Sequence, residues 1–490
     1  MSGWTLSSLL EGLAIVPGGE NVPVPGLCLD SRQVRDGDLF VALAGGRSHG
    51  LAHAQAALDA GACGVLFEAP APEGLDVEGP AWGVPGLRQL LGSIAARFHA
   101  EPSRHLSVVG VTGTNGKTSA VQLITQALNL AGATAGSIGT LGSGLHGQVV
   151  AGERTTPDVL AVHRLLSDMR AAGASHVAME VSSHALDQGR VDGVVFRVAG
   201  FTNLSRDHLD YHGSMAAYGE AKARLFRTPG LGAAVVNLDD PHGRHILSGL
   251  PPALARFGLS SRGDGLANLQ ATGVRTGPDG VGFVLEEGAE RVEVASRLLG
   301  RFNVDNLLLV AGVLRALGHP LRDVAVLLGR LDPVPGRMQR LGGGDAPLVV
   351  VDYAHTPDAL EQTLGSLRDH ARGALVCVFG CGGERDAGKR PQMAAVAGRL
   401  ADRVLVTDDN PRGEDGDRIV ADILAGFQRR DHVGVERDRG RAIARAVGEA
   451  APGDIVLVAG KGHEPYQEIE GRRLPFDDAE VARRALEARP

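Results

Sequence analysis

Paired cysteines are missing from this sequence. Its four, Cys28, Cys63, Cys377 and Cys381, follow no CxxC spacing, and the last two bracket a glycine-rich loop. A small disulfide framework is therefore excluded, and all four read as reduced thiols. Long basic runs are missing too: 49 Lys and Arg against 57 Asp and Glu leave a net charge of −8, which excludes a general nucleic-acid surface. No segment approaches the roughly 20 consecutive apolar residues of a spanning helix. Met1–Pro17 is apolar in places but lacks the basic start of a secretory leader. A soluble, cytoplasmic protein with no membrane span is expected. Tandem repeats and low-complexity tracts are also absent.

What is there is a globular composition, 43% hydrophobic and 22% charged, whose 69 glycines imply many tight loops. A chain of 490 residues is too long for one core, and at about 100 to 200 residues per domain it holds two to four. Two joints set the expected number at three: His99-Ala-Glu-Pro-Ser-Arg104, before a β-prone run, and Leu331-Asp-Pro-Val-Pro-Gly336, whose prolines stop a helical pattern. The expected domains are 1–104, 105–334 and 335–490. Apolar runs read as buried parallel strands at His176–Met179, Val194–Gly200, Ala233–Val236, Leu348–Asp352, Ala374–Phe379, Val404–Thr407 and Asp454–Ala459. Helical segments separate most of them, so the later parts are expected to be α/β layers with chemistry at the carboxyl ends of strands. Ala267–Val294 alternates apolar and polar residues between glycines, which predicts a small antiparallel addition to the middle domain.

The strongest motif is Gly110-Val-Thr-Gly-Thr-Asn-Gly-Lys-Thr-Ser119, entered from the short strand Leu106–Gly110 and followed by a helical pattern over Thr118–Ala131. Successive glycines let backbone N–H groups approach phosphate, and the following helix N-terminus favours an anion. Lys117 would reach the outer phosphates and Thr118 would ligate magnesium. The spacing is not the usual GxxxxGK[ST], because Val111 occupies the first glycine position. The bland alternative is a glycine-rich turn with an exposed lysine; the strand before and the helix after argue against it.

This loop resembles the TGTNGKT loop of the Mur ligase and folylpolyglutamate synthase superfamily, and later segments match in order over nearly the whole chain. The resemblance implies an N-terminal UDP-binding α/β domain, a central P-loop ATPase-like parallel-sheet domain and a C-terminal Rossmann-like domain. It implies ATP and Mg2+ as cofactors. ATP would be bound by Gly113, Thr114, Asn115, Gly116, Lys117, Thr118 and Ser119, by Asn303 and Asn306, by Arg337 beyond the proline joint, and by Asp352. Arg337 would reach the phosphates only on closure of the C-terminal domain. Metal would be held by Thr118, by Glu180 in Met179-Glu-Val-Ser-Ser-His184, by His208 in Phe201–Gly213, and by Lys222 in carbamylated form. From chemistry alone Lys222 is an exposed helix lysine; the resemblance reverses that, and carbamylation would require a partly desolvated, neutral amine. The catalytic set is then Lys117, Lys222, His208 and Arg337.

Among Mur ligases, Leu29-Asp-Ser-Arg32 with Asp38–Gly45 resembles the uridine-nucleotide domain of the tripeptide-forming type, and in part that of the next enzyme in the pathway, while Arg154-Thr-Thr-Pro-Asp158 resembles the muramoyl-dipeptide loop of the tripeptide-forming type. UDP-N-acetylmuramoyl-L-alanyl-D-glutamate would thus contact Leu29, Ser31, Thr155, Thr156, Ser182, Gln188 and Arg190. Asp409-Asn-Pro-Arg412, Gly380–Asp386 and Gly460-Lys-Gly-His-Glu464 look like the loops of the diaminopimelate-adding type. Arg385, Asp409, Asn410, Pro411, Arg412, Gly460 and Glu464 would bind meso-2,6-diaminopimelate. Arg412 would grip its distal carboxylate, and leaving that charge buried and unpaired would cost roughly 3 to 5 kcal/mol. The implied reaction phosphorylates the D-glutamate carboxylate and passes the acyl group to an amine, on a monomer without nucleic-acid partners. Open alternatives are a lysine-adding or D-Ala-D-Ala-adding ligase, a folylpolyglutamate synthase, whose family lacks the N-terminal domain, and a nucleotide-driven switch that forms no amide.

Overall fold

The computed structural model describes residues 3–46, 48–277 and 279–489; Met1 and Ser2, which begin the stretch read for a leader, lie outside them. Contacts gather the chain into two compact units, Met1–Gly258 and Leu259–Pro490.

The first unit opens with four parallel strands paired in sequence order, β1 (Gly26–Cys28), β2 (Asp38–Ala42), β3 (Gly64–Ala69) and β4 (Ala81–Pro85). The helix Leu87–Phe98 buries Leu87, Leu91, Ile94 and Ala95, the stripe a 3.6-residue period puts on one side. That stripe joins Leu39, Val41 and Leu66 in a core that also takes in Val159 and Leu160 from the next sheet's territory. Gly92 of this helix lies against the backbone of Asp192, where any Cβ would collide. The predicted joint is a short 3-10 turn, Pro102–Arg104, preceded by Ala100 and Glu101 at φ 55° and 50°. Ser103 ties it down by accepting from the Val195 N–H at 3.0 Å.

Beyond the turn run β5 (Ser107–Thr112), β6 (Ala135–Gly139), β7 (Gly142–Leu145), β8 (His176–Glu180), β9 (Val198–Phe201) and β10 (Ala233–Asn237), in the spatial order β10-β9-β5-β8-β6-β7. All are parallel except β7, which pairs antiparallel with β6. Val108, Val109 and Val111 of β5 are all fully buried, as in a strand covered on both faces. β9 is shorter than the run Val194–Gly200 promised, because a turn closed by the Val194 N–H on the Val191 carbonyl occupies the start of that run.

The second unit contains β12 (Leu269–Gly277), β13 (Gly280–Glu287) and β14 (Glu290–Ser296), an antiparallel meander that matches the alternation in the sequence. β11 (Ala255–Ser260) pairs parallel with β12, and the helices Phe302–Ala316 and Leu321–Gly329 pack on the meander. A six-stranded sheet follows. Its order is β15 (Gln339–Gly342), β16 (Leu348–Asp352), β20 (Ile455–Ala459), β17 (Leu375–Phe379), β18 (Arg403–Val406) and β19 (Val433–Val435), with only β15 antiparallel. Alternate residues feed two cores: Val350 and Leu457 on one face, Val349, Val351, Val456 and Val458 on the other. The loops after β16, β17, β18 and β20 leave the same carboxyl edge of this sheet, where open α/β sheets bind ligands. A hairpin, β21 (Tyr466–Ile469) and β22 (Arg472–Pro475), completes that edge.

Candidate active site

In the first unit the glycine loop leaves β5 and enters the helix Lys117–Leu130. Gly116 precedes that helix at φ 84° and supplies no side-chain cap, so the first backbone N–H groups are available to an anion. Gly113 sits at φ 148°, and the Thr202 side chain fills the place of its missing Cβ. Thr202 also donates to the Asn115 carbonyl at 2.7 Å, and the Asn115 N–H donates to Asn203 Oδ1 at 3.0 Å, which holds the loop open. Lys117 folds back over the loop, Nζ donating to the carbonyls of Gly113 (2.8 Å) and Thr114 (2.9 Å). Ser119 follows Thr118 in the first turn of the helix.

Glu180, at the end of β8 and only 1% exposed, is the hub beside this loop. It accepts from Thr118 Oγ1 at 2.9 Å and from the N–H and hydroxyl of Thr140 at 2.8 and 3.3 Å. Thr140 carried no signal in the sequence; it is simply the residue that follows β6. A buried carboxylate beside a threonine hydroxyl is a hard-oxygen pair that fits magnesium, whose remaining positions are usually filled by water and phosphate oxygens. Among the described residues no cluster of three or more His, Cys, Asp or Glu could hold a metal ion.

The same strand end gathers Thr155, Thr156, Ser182, Gln188 and Arg190 of the expected dipeptide residues. Thr155 Oγ1 lies 3.2 Å from Thr140 Oγ1. Thr156 donates to the Glu180 carbonyl at 2.8 Å and accepts from the Ser182 N–H at 3.1 Å. Arg190 donates to the Thr156 carbonyl at 3.0 Å and, through Nε, to Gln188 Oε1 at 3.0 Å. Leu29 packs on the core shared with Val159 and Leu160, while Ser31 opens a 3-10 turn capped by Asp30. The Asp30–Arg32 ion pair, 2.7 Å, holds the Asp30 carboxyl down at about 2.

Lys222 is buried, against the exposed position that chemistry alone predicts. Its Nζ donates to the Gly113 carbonyl at 2.8 Å and stands 4.2 Å from the centre of the Tyr218 ring. Burial, helped by the neighbouring Lys117 charge, lowers its pKa to about 6. His208 is half exposed at φ 50°, its ring 4.8 Å from His184 and 6.1 Å from Tyr218. Tyr218, which sequence reasoning passed over, therefore stands between Lys222 and His208, and its hydroxyl lies 3.2 Å from Thr114 Oγ1.

In the second unit Asn303 and Asn306 are buried on one helix. Asn306 donates to Asn303 Oδ1 at 2.8 Å, and Asn303 donates to the Leu299 carbonyl at 2.6 Å. Asp352 accepts from the N–H groups of Met338 (2.8 Å) and Ala354 (2.9 Å). Arg337 lies over the Tyr353 ring, 4.6 Å from its centre, and the His463 ring is 5.4 Å from Tyr353 on the loop after β20.

The loops expected to receive the amino acid meet at the edge of the C-terminal sheet. Gly383 lies against the Pro411 carbonyl with no room for a side chain, and Arg412 Nη1 donates to the Gly383 carbonyl at 2.8 Å. Arg412 itself is left-handed, φ 55°. β21 runs beside it, taking the Arg412 N–H on the Glu468 carbonyl at 3.0 Å. Arg385 is exposed on the neighbouring loop, and Asp409 is buried against Gly460. Asn410 donates to Glu464 Oε2 at 3.0 Å. Lys461 and Gln467 complete the loops' support: Gln467 donates to the Asp409 carbonyl at 2.8 Å. In the sequence Lys461 stood inside the quoted Gly460–Glu464 motif without an assigned role, and Gln467 only as a polar residue beyond it.

The chain belongs to the Mur ligase family, a family of ATP-dependent ligases. Its models match in order: Mur ligase family, catalytic domain, over residues 23–99; Mur ligase middle domain over 111–314; and Mur ligase, glutamate ligase domain, over 336–462. A UDP-N-acetylmuramoyl-L-alanyl-D-glutamate–2,6-diaminopimelate ligase of Xanthomonas campestris pv. campestris is 60% identical over 482 residues, spanning 98% of this chain and 97% of the relative. The ligase of that name from Pseudomonas aeruginosa is 54% identical over 464 residues, 94% and 95% of the two chains. A solved structure bearing the same name superposes with a TM-score of 0.76 at 37% identity over 99% of both chains. The fold alone is shared with MurF ligase from Thermotoga maritima in complex with ADP, TM-score 0.62 at 18% identity over 94% of this chain and 98% of that one.

Proposed function

We infer that this protein is an ATP-dependent ligase of peptidoglycan precursor synthesis, joining meso-2,6-diaminopimelate to the D-glutamate carboxylate of UDP-N-acetylmuramoyl-L-alanyl-D-glutamate. One observation carries the reading: 60% identity, along 98% of the chain, to a ligase named for those substrates. ATP with Mg2+ would supply the phosphoryl group that turns the carboxylate into an acyl phosphate with release of ADP, and the incoming amine would displace inorganic phosphate from it to form the amide.

The chain's own residues take these parts. Gly113, Thr114, Asn115, Gly116 and Ser119 present backbone and hydroxyl donors to phosphate, and Lys117 turns its ammonium from the loop carbonyls to the outer phosphate oxygens. Thr118 and Glu180 hold the metal, with His208 and carbamylated Lys222 beside them; a lysine whose pKa is about 6 is a neutral nucleophile toward carbon dioxide at pH 7. Asn303, Asn306, Arg337 and Asp352 serve as further ATP contacts. Leu29, Ser31, Thr155, Thr156, Ser182, Gln188 and Arg190 receive the muramoyl dipeptide. Arg385, Asp409, Asn410, Pro411, Arg412, Gly460 and Glu464 receive the diamino acid, Arg412 at its distal carboxylate and Glu464 at its distal ammonium. The corresponding domains are 1–104, 105–334 and 335–490, in a cytoplasmic monomer.

The test is direct. The protein is incubated with UDP-muramoyl-dipeptide, ATP, magnesium and a panel of amino acids, and the products are weighed. A product carrying diaminopimelate supports the reading. Phosphate release that needs no carboxylate substrate, or a product carrying another amino acid in preference, defeats it.

A further inference from the structure

Lys461 is fully buried, yet it is a cation with no part in the reaction described above. It leaves β20 between Gly460, at φ 117°, and Gly462, at φ 55°. Both glycines are required: Asp409 occupies the place of a Cβ on Gly460, and Tyr353 and the Gly336 carbonyl occupy that place on Gly462. The tight turn drives the lysine inward, where an ammonium is costly unless paired.

Its partners are two residues of the amino-acid site. Nζ donates to Asn410 Oδ1 at 2.9 Å and to Glu464 Oε2 at 3.2 Å. Asn410 Oδ1 accepts a second bond, from the Glu468 N–H at 2.9 Å. Two donors on that atom fix it as the amide oxygen, so Nδ2 must point the other way, to Glu464 Oε2 at 3.0 Å. Both bonds to the Glu464 carboxylate fall on Oε2, which leaves Oε1 to accept from an ammonium.

We propose that Lys461 is a positioning residue for the diamino acid: it sets the orientation of the Asn410 amide and the Glu464 carboxylate that receive the substrate's distal ammonium. The proposal rests on the assignment of Asn410 and Glu464 to the amino-acid site. A group acting this way alters capture of one substrate and leaves the others alone. Lys461→Met keeps the length and apolar stem but removes the cation. It raises KM for diaminopimelate roughly ten- to hundredfold, the worth of hydrogen bonds to charged groups, with kcat and the KM values for ATP and UDP-muramoyl-dipeptide nearly unchanged. In a Glu464→Gln background the same change adds little, because the carboxylate through which it acts is gone.

The experiment is steady-state kinetics on the full-length wild type, K461M, E464Q and the double variant, with circular dichroism to confirm folding. If K461M does not fold, K461Q, which keeps a neutral donor in place of the cation, must show a selective rise in KM for diaminopimelate of at most that size. A folded K461M with unchanged KM for diaminopimelate overturns the inference. So does a variant in which kcat and all three KM values change together, since that marks general damage to the fold, and so do additive losses in the double variant. Wild-type enzyme that ligates no diaminopimelate overturns the proposed function as well; a competent wild type with an indifferent K461M overturns this inference alone.

Discussion

Replacing Arg412 by alanine is expected to cost selectivity for diaminopimelate over L-lysine, which lacks the distal carboxylate. The size follows from the surroundings of the guanidinium. Nη1 is committed to the Gly383 carbonyl at 2.8 Å, and Nε faces Glu468 Oε2 at 3.5 Å. The side chain is 20% exposed. A fully buried carboxylate stripped of its partner would lose about 3–5 kcal/mol, the figure the sequence suggested. Here solvent reaches the site and Glu468 already shares the positive charge, so the proper scale is a hydrogen bond between charged groups, about 1.5–3 kcal/mol, or roughly 10- to 150-fold in kcat/KM. Alanine keeps the Cβ, so the backbone strain at φ 55° is the same before and after. The assay is phosphate release with saturating ATP and UDP-muramoyl-dipeptide, titrating diaminopimelate or L-lysine against both enzymes. The expected result is a fall for diaminopimelate within that range and little change for lysine. An R412A enzyme that keeps the wild-type ratio of the two would show that the carboxylate is read elsewhere.

Lys222→Ala is expected to be nearly inactive and to regain part of its turnover when short carboxylates such as acetate are added; retention of wild-type turnover without them would remove the carbamate from the site. Arg439 and Asp478 form an ion pair, 0% exposed on both sides, with bonds of 2.7 Å from Nε and Nη2. Asp478→Asn should lower stability by about 3–5 kcal/mol in urea denaturation, while Arg439→Met with Asp478→Leu should cost much less; a single change costing under about 1 kcal/mol would contradict this. Burial, then the Arg337 charge, holds the His463 pKa at about 4. The unfolded chain therefore takes up this proton first, and the stability tied to neutral His463 is lost as pH falls from about 6.5 toward 4. The Tm advantage of wild type over His463→Gln should shrink across that window, and parallel Tm curves would refute the assignment.

The sequence makes some of this legible for physical reasons. Both-sided burial turns parallel strands into apolar runs, so Leu348–Asp352 was read to the residue, and the glycine loop announced itself by its strand and helix. The alternation around β13 was readable as an antiparallel meander, although the meander gathers with the second compact unit. The burial of Lys222 was not legible from its helix, because the groups that desolvate it come from the distant glycine loop and from Tyr218, a turn earlier. Thr140 and Lys461 were invisible as site residues for a related reason. Their importance lies in Glu180 and Asn410, partners that only the sheet order brings near.

The uncapped start of the helix Lys117–Leu130 ties the stability of this fold to anion occupancy. Donors left open by Gly116 are satisfied by whichever anion is at hand, and a nucleotide present at a hundred times its dissociation constant adds about 2.7 kcal/mol to the folded state. That is a large fraction of the total stability of an ordinary domain. Nucleotide bound at this loop would therefore stabilise the fold as well as feed the reaction.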